Sequence, residues 1–259
     1  MSGLVELQLA RVATLELVNP PLNLVTDELL ANLDAALATL ESQPPDEVRA
    51  VVLSGSGDRS FSVGSDVKAF EHHRGPTGRA RFELEAHVAQ RLAGLPMPTI
   101  AAIEGSALGG GLELALCCDL RVASARVTLG LPEVRLAVTP STGGTQRLPR
   151  IVGVARAKEL LLTGRIIDAH EAARIGLVNE VVAPGEALAR ARAIGDEIAE
   201  RGPLAVRAVK ALIDDALDRP LAVGHAAEVD TSVRIFATDD LLEGARSFVE
   251  KREPQYQGR

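Results

Sequence analysis

The sequence predicts an α/β fold that is followed by a helical C-terminal region. Strand and helix patterns alternate through the first half of the chain, and helical periodicity dominates from about Ala155. Of the 259 residues, 46% are hydrophobic, which is enough for a substantial core. We expect an α/β core in residues 1–195 and a helical region in residues 196–259. A helical region that follows a complete core often packs against a neighbouring subunit, so an oligomer is expected.

The first predicted elements are three strands and one helix. The strands are Val5–Leu9, Val12–Val18 and Ala50–Leu53. The helix begins at Thr26 or Asp27, either of which can cap it, and continues to about Leu40 because apolar residues recur at helical spacing. A turn over Asn19–Leu24 separates this helix from the strand before it.

Glycines and prolines divide the middle of the chain. Residues 59–78 are expected to form a loop, and a helix over Arg79–Leu95 ends at Pro96 and Pro98. A second helix covers Leu112–Cys118. The predicted strands of this part are Thr99–Ile103, Asp119–Ala123 and Arg126–Leu129.

The second half of the chain is predicted to be mainly helical. Its one strand candidate is Leu177–Val182, and Asp168 precedes Glu171 at the spacing of a capping box. Breaks between helices are expected at Gly202-Pro203, Arg219-Pro220 and Thr238-Asp239.

Composition and charge argue against nucleic-acid and membrane binding. The 28 basic residues are outnumbered by 35 acidic ones, a net charge of −7, whereas nucleic-acid binders usually carry a basic excess. Five Phe, one Tyr and no Trp leave few rings on which bases could stack. No run approaches the roughly 20 apolar residues of a membrane-spanning helix. The segment Met1–Ala10 contains Glu6 and does not resemble a secretion signal.

Cysteine and histidine usage favours a reduced, cytoplasmic protein without a metal. Cys117 and Cys118 are adjacent, which is unsuited to a disulfide between them, and both are expected to lie on a buried helix. The five histidines have no metal-ligand spacing. No G-x-S-x-G motif is present to support a serine nucleophile.

Two glycine-centred segments are candidates for a functional site. Phe61–Lys68 follows a buried strand, and Gly105–Glu113 leads from a strand through Gly109, Gly110 and Gly111 into a helix. The second segment matches neither the dinucleotide fingerprint nor the phosphate-binding P-loop. Unpaired N–H groups at the start of a helix favour negative charge, so the segment is either a turn that stabilises an oxyanion or a site of tight helix–strand packing.

Glu113 and Glu133 are a candidate acid–base pair. Seven helical residues advance about 10 Å, and a short strand returns over a similar distance, so both carboxylates can reach one cavity. Two carboxyl groups in one buried site do not both ionise easily, which allows one to act as an acid and the other as a base. Alternatively, Glu113 only favours the helix dipole and Glu133 pairs with Arg135 or Arg147.

Four motifs in this order resemble the enoyl-CoA hydratase/isomerase (crotonase) family, and the resemblance covers essentially the whole chain. They are Phe61-Ser-Val-Gly-Ser-Asp-Val-Lys68, Ala107-Leu-Gly-Gly-Gly-Leu-Glu-Leu-Ala115, Leu131-Pro-Glu133 and Gly143-Gly-Thr-Gln-Arg-Leu148. The resemblance implies a crotonase-like spiral of ββα units, with the acyl-CoA site in the core. It also implies that the helical C-terminal region forms trimers, which commonly stack into hexamers.

The resemblance also implies how each residue acts. The N–H groups of Ser65 and Gly110 would bind the thioester oxygen of an acyl-CoA, Glu113 would activate water, and Glu133 would supply a proton to the α carbon. No cofactor is implied, since coenzyme A enters with the substrate. The substrate-binding residues carried over are Ser65, Asp66, Val67, Lys68, Gly109, Gly110, Pro132 and Pro140.

Two positions depart from the common family pattern. Ser65 replaces a more usual Ala, with little effect expected because the donor is the main-chain N–H. Thr139-Pro-Ser-Thr142 replaces small residues, and if this loop lines the acyl pocket, its hydroxyl and methyl groups would narrow or polarise that pocket. The expected activity is hydration of a trans-2-enoyl-CoA. A Δ3-Δ2-enoyl-CoA isomerase is the alternative on the same scaffold, and a non-catalytic scaffold or RNA-binding protein is a third possibility.

Overall fold

The strands form two sheets in residues 3–259, the part of the chain that the computed structural model describes; Met1 and Ser2 lie outside it. The first sheet contains, in spatial order, β1 (Val5–Gln8), β2 (Val12–Leu17), β3 (Ala50–Gly55), β5 (Thr99–Ile103), β7 (Leu120–Ser124) and β10 (Glu180–Val182). The second contains β4 (Ser60–Ser62), β6 (Ser106–Leu108), β8 (Thr128–Gly130) and β9 (Ile167–Asp168). The pairs β1–β2 and β8–β9 are antiparallel, and the other pairs are parallel.

The chain advances in repeated strand–strand–helix units. Each of the pairs β3–β4, β5–β6 and β7–β8 places one strand in each sheet, and a helix follows each pair. The helices of the first half are α1 (Asp27–Glu41), α2 (Pro76–Ala93), α3 (Gly110–Leu116) and α4 (Gly144–Val152). This winding confirms the predicted α/β spiral and aligns the second-sheet strands, whose carboxyl ends lead into the loops that precede the helices.

The core is aliphatic, as the scarcity of aromatic residues requires. Helix α1 buries one face, capped at its start by the Thr26 hydroxyl, which accepts a hydrogen bond from the Leu29 N–H at 3.1 Å. Its buried residues are Leu29, Leu30, Leu33, Leu37 and Leu40. On the opposite face of the first sheet, α7 (Ala187–Ala199) packs Ala187 and Ala191 against that sheet. The sheet is therefore covered on both sides, as parallel sheets usually are.

The rest of the chain is helical apart from β9 and β10. The remaining helices are α5 (Val154–Thr163), α6 (Ala169–Arg174), α8 (Pro203–Ala216), α9 (Leu221–Phe236) and α10 (Asp239–Glu250). The three predicted helix breaks are confirmed, because α8 begins at Pro203, α9 follows Pro220, and Thr238 caps α10. The boundary expected after residue 195 falls inside α7, a helix that packs against the first sheet.

The C-terminal residues lie against the core. The Arg49 guanidinium donates hydrogen bonds to the carbonyl oxygens of Ala199, at 2.9 Å, and Tyr256, at 2.7 Å. The Tyr256 ring packs beside Gly202 and Gly244, where the lack of side chains leaves room for it. These contacts join the last residues to α7, α8 and α10.

Several short elements differ from the expectations. The expected loop 59–78 contains β4 and a 3₁₀ helix over Val67–His73, and the sequence analysis did not identify β6, β9 or α4. Strands of two or three residues are too short to show alternation, and Gly143-Gly144 hides the start of α4. Asp168 caps α6 by accepting the Glu171 N–H at 2.7 Å, but the Glu171 carboxylate pairs with Arg165, so only half of the predicted capping box forms.

No helix within residues 3–259 combines the length and the apolar character that crossing a membrane requires.

Candidate active site

Two backbone N–H groups come together where the second sheet meets α3. Gly64, with φ of +82°, turns the chain after β4 so that Ser65 lies beside Gly110, the first residue of α3. A Cβ atom added to Gly110 would lie 4.0 Å from the Ser65 nitrogen. Within residues 3–259, neither N–H donates to a backbone or side-chain acceptor. Two unpaired donors side by side, one of them at the start of a helix, favour an anionic oxygen.

The three consecutive glycines differ in which atoms a side chain at each position would meet. At Gly111, a Cβ atom would lie 2.1 Å from the Ser62 carbonyl oxygen, so this glycine permits tight packing of α3 on β4. At Gly109, with φ of +52°, a Cβ atom would lie 3.4 Å from Glu133 Oε1. The tight-packing explanation that the sequence left open therefore applies at Gly111, whereas Gly109 and Gly110 lie beside Glu133 and Ser65, and the oxyanion explanation stays a prediction.

Glu113 is a buried carboxylate with two backbone donors. It lies on α3 with 2% of its surface exposed, and its Oε1 accepts the N–H groups of Thr142 at 2.9 Å and Gly144 at 2.7 Å. Burial raises the pKa of Glu113, and the nearby Glu85 carboxylate raises it further, while the two N–H groups oppose the rise. The carboxylate is thus fixed by the loop before α4 as well as by its own helix.

The Glu133 carboxylate differs from that of Glu113 in its hydrogen-bond partners. It begins a 3₁₀ helix over Glu133–Leu136, and both of its carboxylate oxygens are buried without a hydrogen-bond partner among residues 3–259. Burial, the largest cause, raises the pKa of Glu133 to about 7; the backbone N–H of Glu133 opposes the rise without forming a hydrogen bond, and the charge of Glu113 adds to it. The alternative in which Glu133 pairs with Arg135 or Arg147 is wrong, because neither arginine contacts its carboxylate.

A cavity of about 880 Å³ contains both glutamates and both free N–H groups. Part of its wall is apolar, formed by Val63, Phe70, Phe82, Leu136 and Val138. Its lining also includes the hydroxyl residues Thr139, Ser141 and Thr142 and the side chains His72, His73 and Arg74. The cavity can therefore hold an elongated, partly apolar ligand whose polar centre lies between the glutamates.

The sequence model of the enoyl-CoA hydratase/isomerase family matches residues 8–259. The chain belongs to this family. It is 39% identical over 241 residues to a crotonyl-CoA hydratase of Syntrophomonas wolfei (92% of each chain), and 38% identical over 244 residues to a short-chain-enoyl-CoA hydratase of Clostridium acetobutylicum (94% of this chain, 93% of that protein). A solved enoyl-CoA hydratase structure from Bacillus anthracis superposes with a TM-score of 0.95 at 38% identity, covering 99% of this chain and 100% of that one. The crotonase-like fold is thereby shown.

This family member brings most of the predicted site residues to the cavity. The residues that line it are Ser65, Asp66, Val67, Gly109, Gly110, Glu113, Pro132 and Glu133. Lys68 and Pro140 are not among the lining residues. The Lys68 N–H donates to Asp66 Oδ1 at 3.0 Å, which begins the 3₁₀ helix, and Pro140 lies behind Gly144. Their predicted substrate contacts stay predictions.

The sequence analysis of this family member missed Arg81 and Glu85, two buried charged residues beside the cavity. A signal was present in α2: Glu85 precedes the buried Val88, Ala89 and Leu92 at helical spacing, so a carboxylate lies on the apolar face. A charge in that position is expected to have a buried partner.

Neither cysteine lines this cavity. Cys117 and Cys118 are buried free thiols at the end of α3, and burial raises the pKa of Cys117 to about 11. Residues 3–259 contain no cluster of three His, Cys, Asp or Glu side chains that could hold a metal ion.

Proposed function

We infer that the protein is an enoyl-CoA hydratase, which adds water across the α,β double bond of a trans-2-enoyl-CoA to give a 3-hydroxyacyl-CoA. The observation that carries this inference is the pairing of two buried glutamates, one held by two N–H groups and one without partners, in the cavity with two free backbone donors. The hydratase names of the two relatives support the same activity.

The Ser65 and Gly110 N–H groups bind the thioester oxygen. This oxygen gains negative charge when water adds to the β carbon and an enolate forms, so the donors stabilise the transition state more than the substrate. Loss of one such donor typically costs about 2.7–4 kcal/mol of transition-state stabilisation. Since both donors are backbone groups, the Ser65 side chain is not required for this role.

Glu113 and Glu133 divide the acid and base roles according to their partners. Two N–H donors favour the ionised form of Glu113, which accepts a proton from water as the water oxygen bonds to the β carbon. Glu133 has no donor and a pKa near neutrality, so it can carry the proton that moves to the α carbon. Glu113 ends protonated and Glu133 ionised, and proton exchange with solvent restores both.

No further cofactor is required for these steps, and coenzyme A enters as part of the substrate. The carboxylates move the protons, and the backbone donors hold the enolate. Among alternatives on the same scaffold, a double-bond isomerase needs a carboxylate that shuttles a proton but no second group that activates water. The two N–H groups that orient Glu113 favour hydration.

The test is a spectrophotometric assay with trans-2-enoyl-CoAs of increasing length, starting from crotonyl-CoA. The wild-type protein should remove the conjugated enoyl absorbance, whereas Glu113→Gln and Glu133→Gln should each reduce kcat by at least about 100-fold, the scale of a lost general acid or base. Glu83→Gln, an exposed change on α2, is the matched control. Isomerase activity that survives Glu113→Gln, without hydration, would overturn the assignment.

A homotrimer or a hexamer of two trimers completes the proposal. Large apolar side chains on α8, α9 and α10 are exposed; they include Ile213, Leu221, Val233, Phe236 and Phe248. A monomer rarely exposes so many apolar residues on adjoining helices, which supports self-association through this region. We also propose the cytoplasm as the compartment, since its reducing conditions suit the two free thiols.

A further inference from the structure

A second cavity lies directly behind the candidate active site. It has a volume of about 1300 Å³, and it shares two lining residues with the first cavity, Ser141 and Thr142. On α2, Glu85 lines the first cavity and the next residue, Ala86, lines the second. Neighbouring residues of α2, and the same residues of the loop before α4, thus form a partition between the two cavities.

A hydrogen bond closes this partition. The Ser141 hydroxyl donates to Glu85 Oε2 at 2.8 Å and so joins the loop before α4 to the middle of α2. The other oxygen, Glu85 Oε1, accepts from the Ser65 hydroxyl at 3.2 Å. One carboxylate thus spans the end of the cavity between its two walls.

An ion pair fixes the carboxylate in this position. Glu85 is 3% exposed, and Arg81, one turn earlier on α2, contacts its Oε1 through Nε at 3.0 Å and Nη2 at 2.9 Å. The same guanidinium donates to the Val25 carbonyl oxygen at 2.6 Å and pairs with Asp27 at the start of α1. Every polar group of the pair has a partner, and moving one partner alone would leave a buried charge exposed to an apolar wall.

The order of groups along the site directs the acyl chain toward this partition. In the proposed mechanism, the thioester oxygen binds at Ser65 and Gly110, the α carbon faces Glu133, and the β carbon faces Glu113. Glu113 is held by the Thr142 N–H, whose neighbour Ser141 forms the partition. In this placement, carbon atoms beyond the β carbon extend past Glu113 toward the loop that carries Thr142 and Ser141, where the Glu85–Ser141 bond lies.

We propose that the Glu85–Ser141 hydrogen bond ends the acyl pocket and selects enoyl-CoAs with a short acyl chain, a specificity that rests on the proposed hydratase function. A longer chain reaches the second cavity only by breaking this bond and uncovering the buried carboxylate. A short chain ends before it and leaves the bond intact. Glu85 and Ser141 are thus specificity-determining residues, separate from the acid–base pair.

The first test compares kcat/KM for trans-2-enoyl-CoAs of four, six, eight and ten carbons. In the wild type, kcat/KM should fall with length beyond the shortest members. Ser141→Gly removes the bond and opens the partition, so the ratio of kcat/KM for the ten-carbon to the four-carbon substrate should rise at least tenfold, because each newly buried methylene contributes about fourfold. Ser141→Thr keeps a hydroxyl and Glu83→Gln lies on the solvent face of α2, so both controls should keep the wild-type ratio.

The second test needs no turnover. Affinities for butyryl-, octanoyl- and decanoyl-CoA, measured by calorimetry, should not increase with length in the wild type, but they should increase in Ser141→Gly. If the wild type hydrates no enoyl-CoA and the affinities still follow this pattern, the proposed function fails while the partition stands. Equal length dependence in the wild type and Ser141→Gly, in either experiment, would overturn the partition.

Discussion

At the scale of single residues, the chemistry depends on the partners of three glutamates. Glu113 receives two backbone N–H groups, Glu133 receives none, and Glu85 receives an arginine and two hydroxyls. In the proposed function and pocket, the same type of side chain consequently acts as a base (Glu113), as an acid (Glu133) or as part of the pocket wall (Glu85). The residue type does not distinguish these roles, because all three residues are glutamates. The hydrogen-bond donors around each carboxylate do distinguish them.

The unpartnered state of Glu133 predicts a pH-dependent stability. Its pKa is raised from 4.5 to about 7 in the folded protein, so between these values the folded state holds a proton that the unfolded state has lost. Stability therefore falls as the pH rises through this window. Glu133→Gln has no proton to lose and should be more stable than the wild type at pH 8 by about 1–3 kcal/mol, but close to it at pH 4.5.

Urea unfolding at fixed protein concentration measures this difference. Glu83→Gln removes an exposed carboxylate and should show no comparable pH trend. A constant difference between Glu133→Gln and the wild type from pH 4.5 to pH 8 would show that Glu133 ionises normally in the folded protein.

The sequence was sufficient to find the two glutamates that line the cavity, but not the residues around them. Glu113 stands out as a carboxylate in the first turns of an otherwise apolar helix that follows three glycines, and Glu133 as a carboxylate that follows Pro132 after two short strands. Glu85 forms its contacts with Ser65 and Ser141, which are 20 and 56 residues away in the chain. Only the folded arrangement of α2 against two loops defines that cluster.

At the scale of elements, short polar caps determine where helices begin. Asp168 accepts the Glu171 N–H at 2.7 Å and starts α6 without the reciprocal contact of a full capping box. Asp168→Ala should lower the free energy of unfolding by about 1 kcal/mol, the usual value of an N-cap, and should leave hydration unchanged.

Asp168→Asn keeps a side-chain acceptor and should retain most of the stability, which makes it the matched control. Chemical denaturation of the three proteins checks the order. If Asp168→Ala and Asp168→Asn are equally stable, the cap does not contribute as the geometry indicates.

Long helices and buried strands were predictable from periodicity, whereas most of the second sheet was not: among its strands only β8 overlaps a predicted strand. The strand over Thr99–Ile103 and the start of α1 after Thr26 agree with the structure. The strands β4, β6 and β9 contain only two or three residues, so they depend on pairing with neighbours that are distant in sequence. Local patterns cannot identify such elements.

At the scale of the whole molecule, the exposed apolar faces of α8–α10 predict self-association. Light scattering after gel filtration should give the mass of a trimer or a hexamer. Phe236→Glu and Val233→Glu, at side chains 71% and 67% exposed on α9, should shift the protein toward smaller species by placing charges in the apolar contact. Ala38→Glu on the exposed side of α1 adds the same charge elsewhere and should not change the mass.

A monomeric mass for the wild type at micromolar concentration would remove the oligomer proposal without affecting the site, because both glutamates and both donors come from one chain. The helical character of this region was predictable from sequence. The direction in which its helices leave the core was not, since prolines specify where helices end but not the angles between them.

Tyr256, whose ring lies beside Gly202 and Gly244, is an intrinsic fluorescence probe of the C-terminal residues. The chain contains one tyrosine and no tryptophan, so ultraviolet emission excited near 280 nm originates from this single ring. Because the ring lies beside Gly202 and Gly244, its intensity and anisotropy follow the seating of the last residues on the helices. Tyrosine fluorescence of the unlabelled protein could thus report the rate at which that segment detaches from the helices.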